Sequence, residues 1–204
     1  MQSKCIVFDL DHTIGYFKQF IQILNHIHSD NFIGLFDLFP EYFRPNIFQL
    51  FEYLIIKRKE KKINKIILYT NNNNDLFINR VVEYINQKLS EPFFDIIITP
   101  THPYRSSKYK DYNDLIKCSN INSETNICFI DDKKHLNMIC KNVFYIRCEP
   151  YIYNITPNEL YNRIKIKLNT GDKNCYMLNL NNQKRVTEQI FKRIQFFIKK
   201  LIII

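Results

Sequence analysis

The chain has 204 residues, of which 46% are hydrophobic and 15% aromatic, and it carries a formal net charge of +9. This length and this apolar content suit one domain with a sizeable core and at most a small insertion. No apolar run approaches the roughly 20 residues needed to cross a bilayer, which excludes a membrane-spanning helix. The excess of Lys and Arg over Asp and Glu favours an anionic partner: a phosphorylated substrate, an acidic protein or nucleic acid.

The sequence also bears on the compartment. Residues 1–4 lead directly into an apolar run and lack the architecture of a signal peptide. The six cysteines have neither zinc-ligand spacing nor the pattern of a disulfide framework. We therefore expect an intracellular protein, cytoplasmic or nuclear, whose cysteines stay reduced.

Short apolar runs alternate with segments of helical periodicity along the first 150 residues. A helix is predicted over 16–28, a second is predicted to begin at Pro45, and Asp75 is predicted to cap a third. The aromatic segment 29–43 is predicted to be irregular. Five strands are predicted, with a helix between each successive pair, at residues 4–8, 66–69, 94–98, 127–130 and 143–146. This alternation predicts an α/β fold in which helices cover both faces of a parallel sheet.

The last fifty residues show a different pattern. Residues 169–173 are rich in turn-forming types, and they divide the chain into a domain at 1–168 and an extension at 169–204. The extension carries one apolar stripe at helical spacing, formed by Val186, Ile190, Ile194, Phe197, Ile198 and Leu201. We expect an amphipathic helix that packs on the core. The alternative is a basic helix that lies on an anionic membrane or on a partner.

Polar residues follow the predicted strands at the points where the strands end. In an open parallel sheet, ligands gather beyond the carboxyl ends of the strands. Four groups of residues are therefore expected to converge on one crevice. Asp9 with Asp11, Thr70 with Asn71, and Asp131 with Asp132 follow strand ends, and Lys108 with Lys110 lie on the segment before the fourth strand. Burying carboxylates without a partner costs several kcal/mol, so a divalent cation is expected beside them.

The order of these groups resembles a known superfamily. Asp9-Leu10-Asp11-His12-Thr13 follows the apolar run 5–8 and is similar to D-x-D-x-T, the first motif of the haloacid-dehalogenase-like (HAD) phosphohydrolases. Carboxylates, a hydroxyl, a lysine and paired carboxylates, in that order, form the four-part signature of that superfamily. The resemblance implies a Rossmann-like HAD fold with only a small cap insertion, here the helical segment 14–43.

The resemblance narrows to the carboxy-terminal-domain phosphatase family, also called NLI-interacting-factor-like, and covers roughly residues 4–150. It rests on Arg44-Pro45 followed by Leu68-Tyr69-Thr70, on the K-D-L-x-x-L-like segment 110–115, and on Phe129-Ile130-Asp131-Asp132. The chain departs from the family pattern in three places. His12 stands where Glu is usual, Asp132 stands where Asn is frequent, and the segment 14–43 has no clear counterpart. These departures bear on the substrate more than on the reaction.

Phosphoryl transfer needs a nucleophile, a proton donor and neutralisation of charge, and the resemblance assigns these roles. Asp9 would attack phosphorus and form an aspartyl-phosphate, while Asp11 would protonate the leaving oxygen and later activate water. Mg2+ would be bound by Asp9 together with Asp131 or Asp132, and the backbone carbonyl of Asp11 would be a further ligand.

The remaining polar residues divide into phosphate ligands and structural residues. Thr70, Asn71 and Lys110 would bind phosphate oxygens, with Lys108 as the alternative lysine. Thr13 is expected to order the first loop. Six further residues are assigned no chemistry. His12 is expected on the rim of the site and Arg44 in solvent at a helix start, while His26, His28, His102 and His135 are expected to be surface or satisfied core residues.

The expected function is a Mg2+-dependent phosphatase that acts on phosphorylated Ser or Thr of proteins. One alternative is a phosphatase of nucleic-acid ends or nucleotides on the same scaffold. The other is a non-catalytic binding protein, against which the complete set of motif residues argues, because a binding protein does not need all of them. The oligomeric state is not determined by the sequence.

Overall fold

The computed structural model describes residues 3–27, 32–170 and 181–199. Its strands are β1 (Lys4–Phe8), β2 (Lys65–Tyr69), β3 (Ile96–Ile98), β4 (Asn126–Asp131) and β5 (Val143–Arg147). They form one sheet in the order β3-β2-β1-β4-β5, and every neighbouring pair is parallel. The predicted α/β class with a parallel sheet is confirmed, and the architecture is consistent with a Rossmann-like fold.

Helices account for most of the remaining described residues. The α-helices are α1 (Lys18–Ile27), α2 (Phe32–Leu38), α3 (Ile47–Lys59), α4 (Asp75–Leu89), α5 (Tyr112–Ser119), α6 (Pro157–Thr170) and α7 (Asn181–Lys199). Short 3-10 turns lie at Pro40–Tyr42 and Leu136–Met138.

The two faces of the sheet are covered unequally. Ile6 and Phe8 of β1 lie in a large apolar core together with residues of α1, α2, α3, α4 and α7. Val7, which points to the opposite face, lies in a smaller core with Leu115 of α5 and Met138. Alternate residues of a strand point to opposite faces, so a central strand buried on both sides must be apolar throughout.

The connection from β4 to β5 differs from the prediction of a helix between every pair of strands. Only the 3-10 turn Leu136–Met138 lies there, and residues 132–142 hold no α-helix. Met138 is buried on the sheet, whereas Leu136 is 69% exposed. A connection of this length can pack on the sheet through one buried side chain, so it does not need to form an α-helix.

Three further predictions about helices also need correction. The segment 29–43 is not irregular, because it contains α2 and the turn Pro40–Tyr42. α3 begins at Ile47 and not at Pro45, since Asn46 adopts a left-handed conformation with φ of 62°. Asp75 is the first residue of α4 and not its cap, which is Asn74, whose side chain accepts a hydrogen bond from the Phe77 amide.

The segment 14–43 packs against α4 through aromatic side chains. Phe20 stacks on Phe36 with 4.2 Å between ring centroids, and Phe17 meets Phe77 edge to face at 5.5 Å. Gly15 lies at the base of this segment, where a Cβ atom would overlap the Phe17 ring and the Tyr42 carbonyl oxygen. The described part of the segment adds helices and no strand to the sheet.

The carboxy-terminal helix α7 is docked on the core. The predicted stripe is buried at Val186, Ile190, Ile194, Phe197 and Ile198, while Leu201 lies outside the described residues. Lys4 Nζ donates to the carbonyl oxygens of Phe197 and Ile198, at 3.1 and 2.8 Å. α6 continues through residues 169–170, where a break was predicted, and 171–173 lie outside the described residues. No helix among the described residues is long and apolar enough to cross a membrane.

Truncating the stripe of α7 should destabilise the whole domain. Ile194 has no exposed surface, so Ile194→Ala should lower the free energy of unfolding by about 2–5 kcal/mol through lost contacts and a cavity. Lys192→Ala, two residues away on the exposed side, should change it by less than about 0.5 kcal/mol. Chemical denaturation followed by circular dichroism measures both. Equal stabilities of the two variants would mean that α7 does not contribute to the core in solution.

Candidate active site

The candidate site lies at the carboxyl edge of the sheet. β1 is paired in register with both β2 and β4, so Phe8 lies opposite Leu68 and Ile130. The residues that follow these strands therefore emerge side by side. The Asp9 amide donates to the Ile130 carbonyl at 2.9 Å, and the Thr70 amide donates to the Ile98 carbonyl at 3.0 Å.

A buried lysine joins two of the strand ends. Lys110 Nζ donates to Asp9 Oδ1 and, at 2.6 Å, to Asp131 Oδ2. All three side chains are almost completely buried. Lys108, the alternative lysine, is exposed and its ammonium lies 5.1 Å from the ring centroid of Tyr109. Of the two predicted lysines, Lys110 is thus the one that contacts the carboxylates.

The position of Lys110 follows from the start of α5. Asp111 accepts hydrogen bonds from the amides of Asn113 and Asp114, at 2.8 and 3.3 Å, and so caps that helix. The Asp111 amide in turn donates to the Tyr69 hydroxyl at 3.0 Å, which ties the helix start to the end of β2. The preceding residue, Lys110, is thereby directed into the crevice.

Three carboxylates form a group that suits a metal ion. One oxygen from each of Asp9, Asp131 and Asp132 lies within 4.8 Å of the other two. The Asp132 amide donates to Thr13 Oγ1 at 3.1 Å, so Thr13 joins the loop after β1 to the end of β4. Carboxylate oxygens are the ligands that Mg2+ prefers, and one lysine cannot neutralise three carboxylates. The donor set therefore fits a divalent cation.

Burial and mutual repulsion perturb the pKa values of these carboxyl groups. Burial raises the pKa of Asp9, and the negative charge of Asp131 adds to the rise against the opposing effect of Lys110. Burial likewise raises the pKa of Asp132, again with a contribution from Asp131. Burial acts upward on Asp131 too, but hydrogen bonds from His135 and Lys110 outweigh it, so its pKa is lowered. Perturbation of this kind is typical of functional sites.

Asp11 lies beside this group but outside it. Its half-buried carboxylate accepts a hydrogen bond from Asn72 Nδ2 at 3.0 Å, and burial raises its pKa. The side chain is not one of the three that cluster, and the metal contact expected for Asp11 is its backbone carbonyl, which stays a prediction. Asn72 was not among the residues predicted from the sequence, because nothing distinguishes it within the run of four asparagines at 71–74.

Thr70 and Asn71 are held by an arginine that the sequence did not single out. Arg105 Nη1 donates to the Thr70 carbonyl at 2.6 Å, and Arg105 Nη2 donates to Asn71 Oδ1. Its guanidinium lies 4.9 Å from the ring centroid of Tyr69. Thr70 Oγ1 accepts a hydrogen bond from the Asn72 amide at 3.0 Å. The contact of Thr70 and Asn71 with phosphate stays a prediction. Arg105 is a further charged residue beside them.

Arg44 is a central structural residue and not a solvated one, so that prediction is wrong. It is 1% exposed, and it donates to the carbonyl oxygens of His12, Thr13 and Glu149, each at 2.7 Å. His12 adopts a left-handed conformation with φ of 64°, and its carbonyl also accepts the Tyr151 amide. Arg44 therefore fixes the turn that follows Asp11. Pro45 beside it offered no signal of this burial.

The structure places the histidines differently from one another with respect to the site. His135 Nε2 lies 3.3 Å from Asp131 Oδ2, so His135 contacts the site although no role was expected for it. His12 is half-buried beside the Tyr16 ring, and His102 Nδ1 accepts the Tyr104 amide at 3.3 Å. The side chain of His26 and the whole of His28 lie outside the described residues.

No family model and no curated protein matches this chain. The fold and the site therefore define its class by themselves: an α/β protein with a buried, lysine-bridged acidic site at the carboxyl edge of a parallel sheet.

Added Mg2+ should raise the melting temperature, because an ion that binds only the native state stabilises it by mass action. Asp132→Ala should weaken Mg2+ binding by about tenfold or more, and Asp132→Asn by less, since an amide oxygen is still a neutral ligand. Glu188→Gln, on the exposed side of α7, is the control and should match the unmodified protein. Thermal shift against Mg2+ concentration measures all four proteins. Identical shifts in Asp132→Ala and the control would exclude this group as the metal site.

Proposed function

We propose that this protein is a Mg2+-dependent phosphohydrolase of the HAD type that works through an aspartyl-phosphate. The observation that carries the proposal is the buried cluster in which the Lys110 ammonium group donates hydrogen bonds to both Asp9 and Asp131. Asp132 lies beside them. These residues come from three separate segments and are the ones that the ordered motif pattern selects. A buried array of carboxylates with one lysine costs stability, which a catalytic role explains.

In this proposal Asp9 is the nucleophile. Its carboxylate attacks phosphorus, the bond from phosphorus to the ester oxygen breaks, and the phosphoryl group is carried on Asp9. Lys110 keeps the Asp9 side chain in place and offsets negative charge that accumulates on the phosphoryl oxygens. Mg2+ bound by Asp9 with Asp131 or Asp132 would supply further positive charge against those oxygens.

Asp11 is the proposed acid and base. It gives its proton to the departing ester oxygen, and its carboxylate then takes a proton from the water that attacks the aspartyl-phosphate, which releases inorganic phosphate. Burial raises the pKa of Asp11, so the protonated form needed for the first step persists to higher pH than in water. The hydrogen bond from Asn72 orients this carboxyl group.

The proposed substrate is a phosphorylated macromolecule. The described part of the segment 14–43 packs its aromatic side chains on α4 and forms no sheet of its own, as the contacts of Phe17 and Phe20 with Phe77 illustrate. A small metabolite needs enclosure to supply binding energy, whereas a large substrate obtains it from surface contacts. The sequence resemblance favours a phosphoprotein, and a nucleic-acid end is the alternative.

Asp9→Asn should abolish hydrolysis of 4-nitrophenyl phosphate, because the amide is a poor nucleophile, while the fold remains. Acid-quenched mass spectrometry of the wild type should detect phosphate on the peptide that contains Asp9. Glu149→Gln, an exposed acid-to-amide change, is the control and should retain activity. A folded Asp9→Asn protein with substantial turnover would refute the mechanism, and an inactive wild type would favour the non-catalytic binding protein.

Asp11→Asn should separate the two proton transfers. Turnover should fall by about 10²–10⁴-fold for an alkyl phosphate, whose leaving group needs the proton. With 4-nitrophenyl phosphate, a good leaving group, phosphorylation of Asp9 should survive and a burst of nitrophenol should precede slow turnover. Rapid-quench kinetics measures both. An equal loss of the burst and of turnover with both substrates would contradict the role given to Asp11.

A further inference from the structure

Exposed basic and aromatic side chains border the site on two sides. We call them the basic rim: Tyr104, Lys108 and Tyr109 on the segment before Lys110, and Lys133, Lys134 and Arg147 beyond the ends of β4 and β5. Each lies on a segment that carries a residue of the site or, for Arg147, opposite Asp131 in the sheet. The rim therefore lies on the segments that border the candidate site.

The first side presents two tyrosines on an anchored segment. Tyr104 is 67% exposed and Tyr109 is 59% exposed. The residues between them are held in place, because the Asp114 carboxylate accepts the hydroxyl of Ser106 at 2.7 Å and the amide of Ser107 at 2.8 Å. Single exposed apolar rings are ordinary, but two rings on a fixed loop beside a site are an available stacking surface.

The second side is a group of cations next to the carboxylates. The Lys133 amide donates to Asp131 Oδ1 at 2.8 Å, and Arg147, opposite Asp131 in the sheet, donates from Nε to the Asp132 carbonyl at 3.3 Å. The side chains of Lys133, Lys134 and Arg147 are all exposed.

The cations of the rim are not held in salt bridges, although the positive charge of Lys133 acts on the nearby Asp11 and Asp132 carboxylates. Within the described ranges, none of the four basic residues of the rim forms a salt bridge, whereas Lys57, Lys59 and Lys88 elsewhere on the surface each pair with a carboxylate. Exposed cations that border one crevice raise the local concentration of polyanions. Part of the excess positive charge of the chain therefore lies on the basic rim, beside the site.

We propose that the substrate is a single-stranded nucleic acid with a terminal phosphate, an inference that rests on the proposed function. The terminal phosphate would reach Asp9, the following phosphates would contact the cations of the rim, and unpaired bases would stack on Tyr104 and Tyr109. A basic track with aromatic stacking positions is how proteins bind single strands without reading sequence. A phosphopeptide with one phosphate uses the cations less, and its side chains offer the two rings fewer flat stacking partners than a run of unpaired bases does.

Binding tests the inference without turnover. Asp9→Asn protein is titrated with a fluorescent 3′-phosphorylated or 5′-phosphorylated oligonucleotide of about ten nucleotides, within the site sizes known for single-strand binding. Adding Tyr104→Ala and Tyr109→Ala should weaken binding about tenfold or more. Adding Lys108→Gln and Lys133→Gln should reduce the slope of log affinity against log salt by about 1.4, or about 0.7 for each lost phosphate contact.

The matched control carries Tyr161→Ala and Lys192→Gln, an exposed tyrosine and an exposed lysine remote from the rim in sequence. It should bind the oligonucleotide as the parent does. Equal losses in the control and the rim variants, or no loss in the rim variants, would overturn the rim as the binding surface.

Turnover then separates this inference from the proposed function. Wild-type protein with Mg2+ should hydrolyse the phosphorylated oligonucleotide with a kcat/KM at least about tenfold above that of a phosphoserine peptide of similar charge. If the peptide or a small phosphate ester is preferred, the nucleic-acid inference fails and the phosphatase stands. If no phosphate ester is hydrolysed, including 4-nitrophenyl phosphate, the proposed function fails and the substrate assignment fails with it.

Discussion

The ammonium group of Lys110, buried between Asp9 and Asp131, is the interaction on which the arrangement of the site depends. A buried charge is tolerated only when partners meet it with good geometry. Its partners lie 101 and 21 residues away in sequence, so the pairing exists only once β1, the start of α5 and β4 have assembled. The same pairing leaves an excess of carboxylate over cation, which is the physical reason for expecting a divalent ion.

Arg44 stabilises the backbone of the site without lying among its carboxylates. It satisfies the carbonyl oxygens of the turn after Asp11 and donates to Gln183 Oε1 at 3.1 Å, near the start of α7. Thr187 of the same helix donates to the Pro45 carbonyl at 2.7 Å. The carboxy-terminal helix is therefore coupled to the loop that carries both proposed catalytic carboxylates. Loss of that helix would remove the Gln183 acceptor of Arg44 Nη1 and would uncover this side of Arg44 to solvent.

The charge of the molecule is arranged in two zones around the crevice. Buried carboxylates lie within it, and exposed cations that form no salt bridge lie on the segments that border it. The inner zone binds a metal ion and performs chemistry in the proposed mechanism, whereas the outer zone attracts an anionic substrate. The aromatic side chains of the segment 14–43 pack on α4. The basic rim, and not this segment, is therefore the surface proposed to contact the substrate.

Elements with a local signal could be predicted from the sequence, whereas contacts between distant residues became visible only on folding. Apolar runs predicted all five strands, and the polar residues at their ends predicted that Asp9 and Asp131 would meet, because carboxyl ends of parallel strands share one edge. Lys110 was expected in the same crevice from the order of the motifs, but its choice over Lys108 required the structure. The burial of Arg44 and the contact of His135 with Asp131 had no local signal. Neither did the missing helix between β4 and β5, since a buried turn needs only one well-placed side chain, Met138. Those features arise from which surfaces come together on folding, and a pattern within one segment does not contain that information.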